Sequence, residues 1–326
     1  MEKNKFRSKG MMRNIVWLLM FGLFSCLNWS CTSEQTLDNP GKGEITIAAD
    51  ESFKPIVDAL TNAYEGIYPN THFILDYKPE QNAILQLLQD SARIVFATRE
   101  LNDKEKEIIR KQKGFQKAQH IATDGLALLI DKDNTDSLFT LREVEGILKG
   151  EIKSWEQLDG GNVSGLITLV FDNVNASNLN FVIEKFGLTT IENLRIIAAG
   201  SNEKVIEMVR ENPKYLGFIG VNWISDGHSL RSERLSKGIR VIGISESSTP
   251  ASINEYIQPF QGGLEFKRYP LHRELYILSR EGYSGLGGGL MTYIARDVGG
   301  LIIQKMGLLP KIPYPRELEL TTGMDF

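Results

Sequence analysis

The chain has 326 residues, of which 42% are hydrophobic and 24% are charged. This composition is ordinary for a globular protein and excludes a collagen, a coiled-coil rod and a mostly disordered chain. The length predicts roughly two domains of about 150 residues each. The two cysteines, Cys26 and Cys31, lie near the N-terminus, which excludes a disulfide framework or a cysteine-ligated zinc site in the body.

The first 25 residues have the pattern of a secretory signal. Five basic residues and one acid lie in residues 1–13, and an uncharged, mainly apolar run follows at 15–24. A run of ten residues is too short to cross ~30 Å of hydrocarbon as a helix, and no other stretch approaches about 20 apolar residues. The sequence therefore predicts a cleaved signal at 1–25 and a secreted body.

Segment 23–26, Leu-Phe-Ser-Cys, resembles the lipoprotein signal box of bacteria, in which a diacylglyceryl group is attached to the cysteine. Cys26 is therefore the predicted lipid attachment site, and Cys31 is the alternative. An ordinary cleaved signal with two incidental cysteines is the other interpretation. Residues 26–43 are polar and rich in turn formers, which predicts a flexible tether between the membrane and the body.

The charge of the body argues against one class of partner. The full chain carries a net charge of −4, and without residues 1–25 it keeps 32 basic and 40 acidic residues, a net charge of about −8. It has no basic tail and no basic run interleaved with aromatic residues. Nucleic-acid binding, which depends on neutralising phosphates with basic patches, is therefore disfavoured.

Apolar periodicity predicts short strands that alternate with amphipathic helices. The predicted strands are 44–49, 71–77, 93–98, 121–130, 166–171, 216–220, 239–244 and 274–279. The predicted helices are 53–67, 81–90, 178–187, 202–211 and 290–306, with two more that begin at the capping boxes 102–105 and 140–143. This alternation predicts an α/β fold with largely parallel sheets, in which a ligand lies at the carboxyl ends of the strands.

The first strand-to-helix junction of interest is 49–55, Ala-Asp-Glu-Ser-Phe-Lys-Pro. It offers Ser52 as an N-cap. The free amides of a helix start together with a hydroxyl form a site for an anion. A plain helix cap without a ligand is the alternative interpretation.

The second junction closes the strand 93–98 with Thr98 and Arg99. An arginine at the end of an apolar strand faces a cleft in an α/β fold, and its guanidinium can bind an oxyanion through two parallel hydrogen bonds. The alternative is a surface arginine paired with an acid such as Glu100 or Asp103.

The third junction is 171–178, which is dense in short polar side chains and leads into a predicted helix. It presents Asn175 and Ser177 together with several backbone amides. A concave group of amides of this kind favours anions. A polar loop with an ordinary cap is the alternative.

Taken together, these junctions resemble the three ligand loops of the phosphate-binding proteins of ABC transporters, which are type II periplasmic binding proteins. Segments 52–55, 97–102 and 175–177 carry the loops. Ile147–Trp155 resembles the family's Ile/Leu-x-x-Gly-x-Ile-x-x-Trp segment, and Leu216–Asn222 resembles its Ile-Gly-Tyr-Val motif. The resemblance extends over about residues 44–310.

The resemblance implies two α/β lobes joined by two crossovers, with the ligand in the cleft between them. It also implies a binding protein rather than an enzyme, with no cofactor and no metal. The ligand-binding residues it implies are Ser52, Phe53, Thr98, Arg99, Asn175, Ala176 and Ser177. The chain order assigns 44–123 and 255–326 to one lobe and 124–254 to the other.

The sequence departs from the family at two positions. The family has an aspartate in the second loop that accepts a proton from hydrogen phosphate, and Arg99 takes that place here. The family also has an arginine just before the third loop, where this chain has Phe171 and Asp172. Our hypothesis is that Arg99 supplies the missing positive charge, because a buried oxyanion without a counter-charge is very costly. Asp172 and Asp124 are the candidates for the proton-accepting role.

The predicted function is an extracytoplasmic, lipid-anchored, monomeric protein that binds inorganic phosphate and delivers it to the permease of an ABC importer. Three alternatives stay open: a receptor for another oxyanion such as sulfate, a phosphoester hydrolase, and an envelope adhesion or signalling module without a ligand. The sequence lacks metal-ligand spacing around its four histidines and lacks nucleophile motifs, which disfavours the hydrolase. The glycine-rich segment 285–289 is predicted to be a flexible turn before the last helix.

Overall fold

The computed structural model describes residues 38–158, 161–225 and 230–313. The predicted signal, both cysteines and the tether as far as residue 37 lie outside the described residues. Within the described ranges, no helix combines the length and the apolar character needed to cross a membrane.

Strands and helices alternate along the described chain. In chain order the strands are β1 Lys42–Ala49, β2 Asn70–Tyr77, β3 Ile94–Ala97, β4 Lys117–Asp131, β5 Leu138–Thr140, β6 Thr168–Phe171, β7 Ile196–Ala198, β8 Tyr215–Gly220, β9 Ile239–Val241, β10 Gly243–Ser245, β11 His272–Ser279 and β12 Leu309–Pro310. The helices are α1 Lys54–Ile67, α2 Glu80–Leu88, α3 Asp103–Lys111, α4 Leu141–Leu148, α5 Ser177–Lys185, α6 Asn202–Glu211, α7 Leu230–Ser236, α8 Gln261–Leu264, α9 Leu286–Ile294 and α10 Asp297–Lys305. The predicted α/β class is confirmed.

The main sheet has the strand order β2-β1-β3-β11-β4-β8-β6-β7. Strands β2, β1 and β3 are parallel, and so are β8, β6 and β7. The two central strands break this pattern, because β11 is antiparallel to β3 and β4, and β4 is antiparallel to β8. We call the half with β1, β2, β3 and β11 lobe 1, and the half with β6, β7 and β8 lobe 2.

The long strand β4 passes from lobe 1 to lobe 2. Its residues 117–125 pair with β11, and its residues 126–131 pair with β8 and β9. The passage occurs at Gly125, where a Cβ atom would lie 2.8 Å from Pro259 Cβ and 2.9 Å from Pro259 O. A side chain at this position would collide with backbone, so a glycine is required for the crossing.

Each lobe has its own hydrophobic cores. Ile47, Phe96 and Ile277 pack in lobe 1 under α1 and α9. In lobe 2, Phe171 stacks on Phe218 with ring centroids 4.4 Å apart. The second core also contains Leu264, Tyr269 and Leu271. The predicted lobe boundary at residue 254 stays a prediction. The packing of Leu264, Tyr269 and Leu271 in the core of lobe 2 argues that the chain returns to lobe 1 later, at about residue 271.

Some predicted elements differ from the observed ones. The predicted helix 290–306 is two helices, α9 and α10, because the backbone of Arg296 is extended. Gly299 allows α10 to pack closely against the end of α9, since a Cβ atom at Gly299 would lie only 2.4 Å from Ile294 Cα. The glycine-rich segment forms the first turn of α9, where Glu281 accepts the amides of Gly287 and Gly288. The predicted strand 239–244 is also divided, between β9 in the main sheet and β10 beside β5.

Candidate functional site

The carboxylate of Asp50 lies where three loops meet. Asp50 directly follows β1 and is fully buried. Its Oδ1 accepts hydrogen bonds from Ser52 N at 3.0 Å and Ser177 Oγ at 2.9 Å. Its Oδ2 accepts from Glu80 N and Ser177 N, both at 2.9 Å. Four donors from the starts of three helical segments therefore converge on one carboxylate.

The sequence predicted Ser52 as the cap of the first helix, and this prediction is wrong. Asp50 caps the short 3-10 turn Glu51–Phe53 that precedes α1, since its side chain accepts the amide of Ser52. The helix α1 itself has no side-chain cap. Ser52 is instead buried between the lobes, with its hydroxyl 3.4 Å from Ser177 Oγ. The Ser52 carbonyl accepts from Asn222 Nδ2 and Trp223 Nε1, each at 2.9 Å. The first loop is thus fastened to lobe 2.

Arg273 on β11 provides the positive charge at Ser177. Its Nη1 donates to Ser177 Oγ at 3.2 Å, and its Nε and Nη2 both lie 2.8 Å from Asp124 Oδ2. The guanidinium also lies over the ring of Phe53, 4.9 Å from the ring centroid. The side chains of Arg273 and Asp124 are 2% and 0% exposed. Burial raises the pKa of Asp124, and Arg273 opposes that rise.

Arg273 is not among the site residues predicted from the sequence, although the sequence contains a signal for it. From His272 to Ile277, strand β11 alternates between partly buried and buried residues, and Arg273, Leu275 and Ile277 share its buried side. A single arginine on an otherwise apolar face of a strand is a buried charge, and a buried charge needs a partner. That partner, Asp124, is the residue directly opposite in the register of β4.

Arg99 is held by an acid on α3. Its Nη1 and Nη2 each donate to Glu105 at 2.8 Å, and Nη1 also donates to Glu100 O at 3.0 Å. The side chain is 38% exposed. Neither Glu100 nor Asp103 is the carboxylate that pairs with it, because the capping-box residue Glu105 takes that role. A ligand role for Arg99 stays a prediction, and the charge next to Ser177 comes from Arg273.

Thr98 is connected to the site through hydrogen bonds to Glu80, whose backbone amide donates to Asp50. The Glu80 carboxylate accepts from the backbone amide of Thr98 and, at 2.8 Å, from its hydroxyl. Glu80 is only 4% exposed, and this burial raises the pKa of its carboxyl. The loop after β3 is therefore tied to the start of α2 rather than to Asp50.

The third loop divides into a buried and an exposed part. Ala176 and Ser177 are buried at the start of α5, whereas Asn175 is exposed. The backbone amide of Asn175 donates to Asn173 Oδ1, and its carbonyl accepts from Asn180 Nδ2. Of the residues predicted in this loop, Ser177 is the one whose polar atoms reach Asp50.

Asp172 lies behind this loop. Its Oδ1 accepts from Asn178 Nδ2 at 2.9 Å, and the same nitrogen lies 3.1 Å from Asn202 Oδ1. Burial, reinforced by the nearby charge of Asp50, raises the pKa of Asp172 to about 8. A carboxyl group with this pKa can hold a proton near neutral pH. Asp172 and Asp124 both lie near the site, but each is bound by a different neighbour.

A second carboxylate crosses between the lobes beside Asp50. Glu51 Oε2 accepts from the backbone amide of Asn202 at 3.0 Å and from the Asn202 side chain. It thus caps the start of α6 in lobe 2. Asp124 pairs with Arg273, Glu80 acts on it through its charge, and Asp50 is joined to it through Ser177. Glu51 and Asp172 add two further acids next to Asp50. No group of these or other described residues has the arrangement of a metal site.

The chain belongs to the PBP superfamily, since the PBP superfamily domain model PBP_like_2 matches residues 34–298. The phosphate-binding protein PstS of Borreliella burgdorferi is 21% identical over 300 residues, which cover 90% of this chain and 98% of that protein. PstS of Bacillus subtilis is 20% identical and covers 95% of each chain.

Solved structures share the fold. A candidate phosphate ABC transporter substrate-binding protein with bound phosphate, from Clostridium perfringens, superposes with a TM-score of 0.67 at 20% identity, covering 83% of this chain and all of that one. An ABC-type phosphate transport receptor from Vibrio cholerae gives a TM-score of 0.60 at 21% identity over 81% of this chain and 99% of its own. The predicted two-lobe periplasmic binding protein architecture is confirmed.

Proposed function

We propose that the protein is an extracytoplasmic solute-binding protein that takes inorganic phosphate into the cleft between its lobes and delivers it to an ABC-type importer. The observation that carries this proposal is the convergence on one point of the amides of Ser52, Glu80 and Ser177 and the Ser177 hydroxyl. Such donors suit an oxyanion, and Arg273 adds a positive charge through Ser177. The similarity to the phosphate-binding proteins of Borreliella burgdorferi and Bacillus subtilis supports phosphate as that anion.

Binding closes the cleft in the proposed mechanism. Ser52 and Glu80 belong to lobe 1 and Ser177 belongs to lobe 2, so an anion at this point contacts both lobes. A ligand that contacts both lobes in the closed state binds that state more tightly and shifts the population toward it. The ligand shell we propose is Ser52, Phe53, the backbone amide of Glu80, Ala176, Ser177 and Arg273. We propose binding rather than catalysis as the role of this site.

We also propose that the protein is anchored by a lipid on Cys26, with Cys31 as the alternative, and that it acts as a monomer. The lipid box at 23–26 and the polar segment that follows support the anchor. The tether would let the two lobes reach a permease in the same membrane.

Calorimetry on the full chain tests the proposed function. The protein is unfolded and refolded to remove carried-over ligand and is then titrated with phosphate and with sulfate. Heat with phosphate and none with sulfate supports a phosphate receptor. Comparable heats with both identify a general oxyanion receptor, and no heat with either contradicts the proposal.

One observation favours a second candidate, the envelope module that keeps the fold without a ligand. The donors that would hold an anion already hold Asp50, and further acids surround them. In this case neither anion gives heat, while the protein still unfolds cooperatively.

A further inference from the structure

The group held at the meeting point of the three loops belongs to the chain itself. We infer that Asp50 is a built-in competitor for the proposed anion site: its carboxylate occupies the anion position, and external phosphate binds by displacing it. Asp50 thereby sets the affinity of the site and limits it to anions that can win this exchange. This inference rests on the proposed phosphate site and names the residue that controls it.

The contacts of Asp50 are those expected of a bound anion. Both oxygens accept two hydrogen bonds, all between 2.9 and 3.0 Å. The side chain is 0% exposed. Two of the four donors are backbone amides of lobe 1, and the other two belong to Ser177 in lobe 2. Capping of its own helical turn needs only the Ser52 amide, and the other three contacts join the starts of α2 and α5 to the same carboxylate.

The charge of Arg273 reaches Asp50 through Ser177. The guanidinium donates to Ser177 Oγ, and that hydroxyl donates to Asp50 Oδ1. The Ser177 proton is therefore committed to Asp50. An external oxyanion at this point requires the same proton and the same amides, so the two anions exclude each other.

Electrostatics works in the same direction. The acids that face this region are Glu80 on α2, Glu51 beside Asp50, and Asp172 behind the third loop. Arg273 shares its charge with Asp124, and Arg99, which is paired with Glu105, also acts on Glu80. Adding phosphate while Asp50 stays in place would put like charges in contact in a buried site, where their repulsion is only weakly screened. Displacement of Asp50 avoids this repulsion.

The segment that carries Asp50 is attached to lobe 2 at each of its residues. Glu51 caps α6 through Asn202, and the Ser52 carbonyl accepts from Asn222 and Trp223. Asp50 thus also contributes to holding the lobes together. Its removal has two separate consequences: it frees the anion donors, and it weakens the contact between the lobes.

The test compares wild type, Asp50→Ala and the control Glu51→Gln as full chains. Each is stripped of ligand and titrated with inorganic phosphate by calorimetry at fixed pH and salt. Asp50→Ala is expected to bind phosphate at least about tenfold more tightly than wild type, because the competitor is gone. Glu51→Gln removes a neighbouring charge but leaves Asp50 in place, and it is expected to change the affinity less than about threefold.

Small-angle X-ray scattering without phosphate provides a second, independent measurement, the radius of gyration. Asp50→Ala is expected to have a larger radius of gyration than wild type, and phosphate is expected to bring it back. If Asp50→Ala does not fold, Asp50→Asn replaces it, since it keeps the volume and lacks the charge.

Three outcomes overturn the inference. Phosphate binding in Asp50→Ala that is equal to or weaker than wild type would make Asp50 part of the site rather than its competitor. Equal gains in Asp50→Ala and Glu51→Gln would mean that net charge, not occupancy, controls affinity. No phosphate binding in any of the three proteins would overturn the proposed function together with the competition. The first two outcomes overturn the competition alone, so the two kinds of failure can be distinguished.

Discussion

Arg273 and Asp124 form a buried ion pair at the point where β4 passes from lobe 1 to lobe 2. They are register partners in the antiparallel pair β4–β11, and the guanidinium lies 2.8 Å from the carboxylate. This pair joins the strand of one lobe to the crossover and places a charge at Ser177. It links the stability of the fold to the proposed site.

Replacing Arg273 by alanine is expected to lower the free energy of unfolding by about 3–5 kcal/mol, since it leaves Asp124 as an uncompensated buried charge. Urea denaturation measures this loss. The double variant Arg273→Ala with Asp124→Ala is the control and should lose less than the single variant. A loss under about 1 kcal/mol in the single variant would contradict the burial of this pair.

Arg99→Ala distinguishes the two arginines. From its contacts with Glu105 and its partial exposure we expect a stability loss of less than about 1 kcal/mol. We also expect a smaller loss of phosphate affinity than that caused by Arg273→Lys, which keeps the charge and loses the forked geometry. Calorimetry compares the two. A loss of orders of magnitude in Arg99→Ala alone would assign the counter-charge to Arg99, as the sequence hypothesis states.

The raised pKa of Asp172, about 8 against an ordinary value of 3.8, predicts how stability depends on pH. Between these values the folded state holds a proton that the unfolded state has lost, so the stability falls as the pH rises. The slope from this group is at most about 1.4 kcal/mol per pH unit. Burial raises the pKa values of Glu80 and Asp124 as well, and they act in the same direction.

Asp172→Asn tests that prediction, because it keeps an oxygen for Asn178 and removes the titration. Urea denaturation at pH 5 and pH 8 should show a smaller loss of stability on going to pH 8 in the variant than in wild type. Asp133→Asn, at a carboxylate that is 75% exposed, is the control and should follow wild type. Equal pH dependence in all three proteins would rule out the raised pKa.

Gly125→Ala should destabilise the crossing of β4. The new Cβ would lie 2.9 Å from Pro259 O and 2.8 Å from Pro259 Cβ, and overpacking of this kind costs about 1–3 kcal/mol. Gly66→Ala on α1 is a matched control, because nothing lies within 4 Å of the added atom. It should be neutral or raise stability by up to about 1 kcal/mol through helix propensity. Thermal unfolding checks both: the unfolding temperature should fall in Gly125→Ala and stay equal or rise in Gly66→Ala.

The lipid anchor is tested by Cys26→Ser and Cys31→Ser. Cells that express the full chain are fed a fatty-acid analogue, and its incorporation is measured in membrane fractions. Cys26→Ser should abolish labelling and release the protein from the membrane, while Cys31→Ser should leave both unchanged. The reverse result assigns the lipid to Cys31. If the wild-type chain itself is not labelled, the segment is an ordinary cleaved signal without a lipid.

Local patterns in the sequence were enough to predict most helices and strands and the α/β fold class. The capping boxes predicted at Asn102–Glu105 and Thr140–Glu143 are confirmed with both reciprocal hydrogen bonds. The first helix begins within one residue of its predicted start. These features depend on residues a few positions apart, and their contacts are made within one element. The division of the predicted helix 290–306 depends on packing of Gly299 against Ile294, which local periodicity does not contain.

The sequence by itself determined the α/β class, the three junctions and the presence of Ser52 and Ser177 at helix starts. Only the tertiary structure decided which charges meet there. Asp50, Glu80 and Ser177 follow strands β1, β2 and β6, and Arg273 lies on β11. These strands are distant in the chain and are brought together in one sheet. The same packing pairs Arg99 with Glu105 and Arg273 with Asp124. Burial then selects among these charges, because each one removed from water must find a partner.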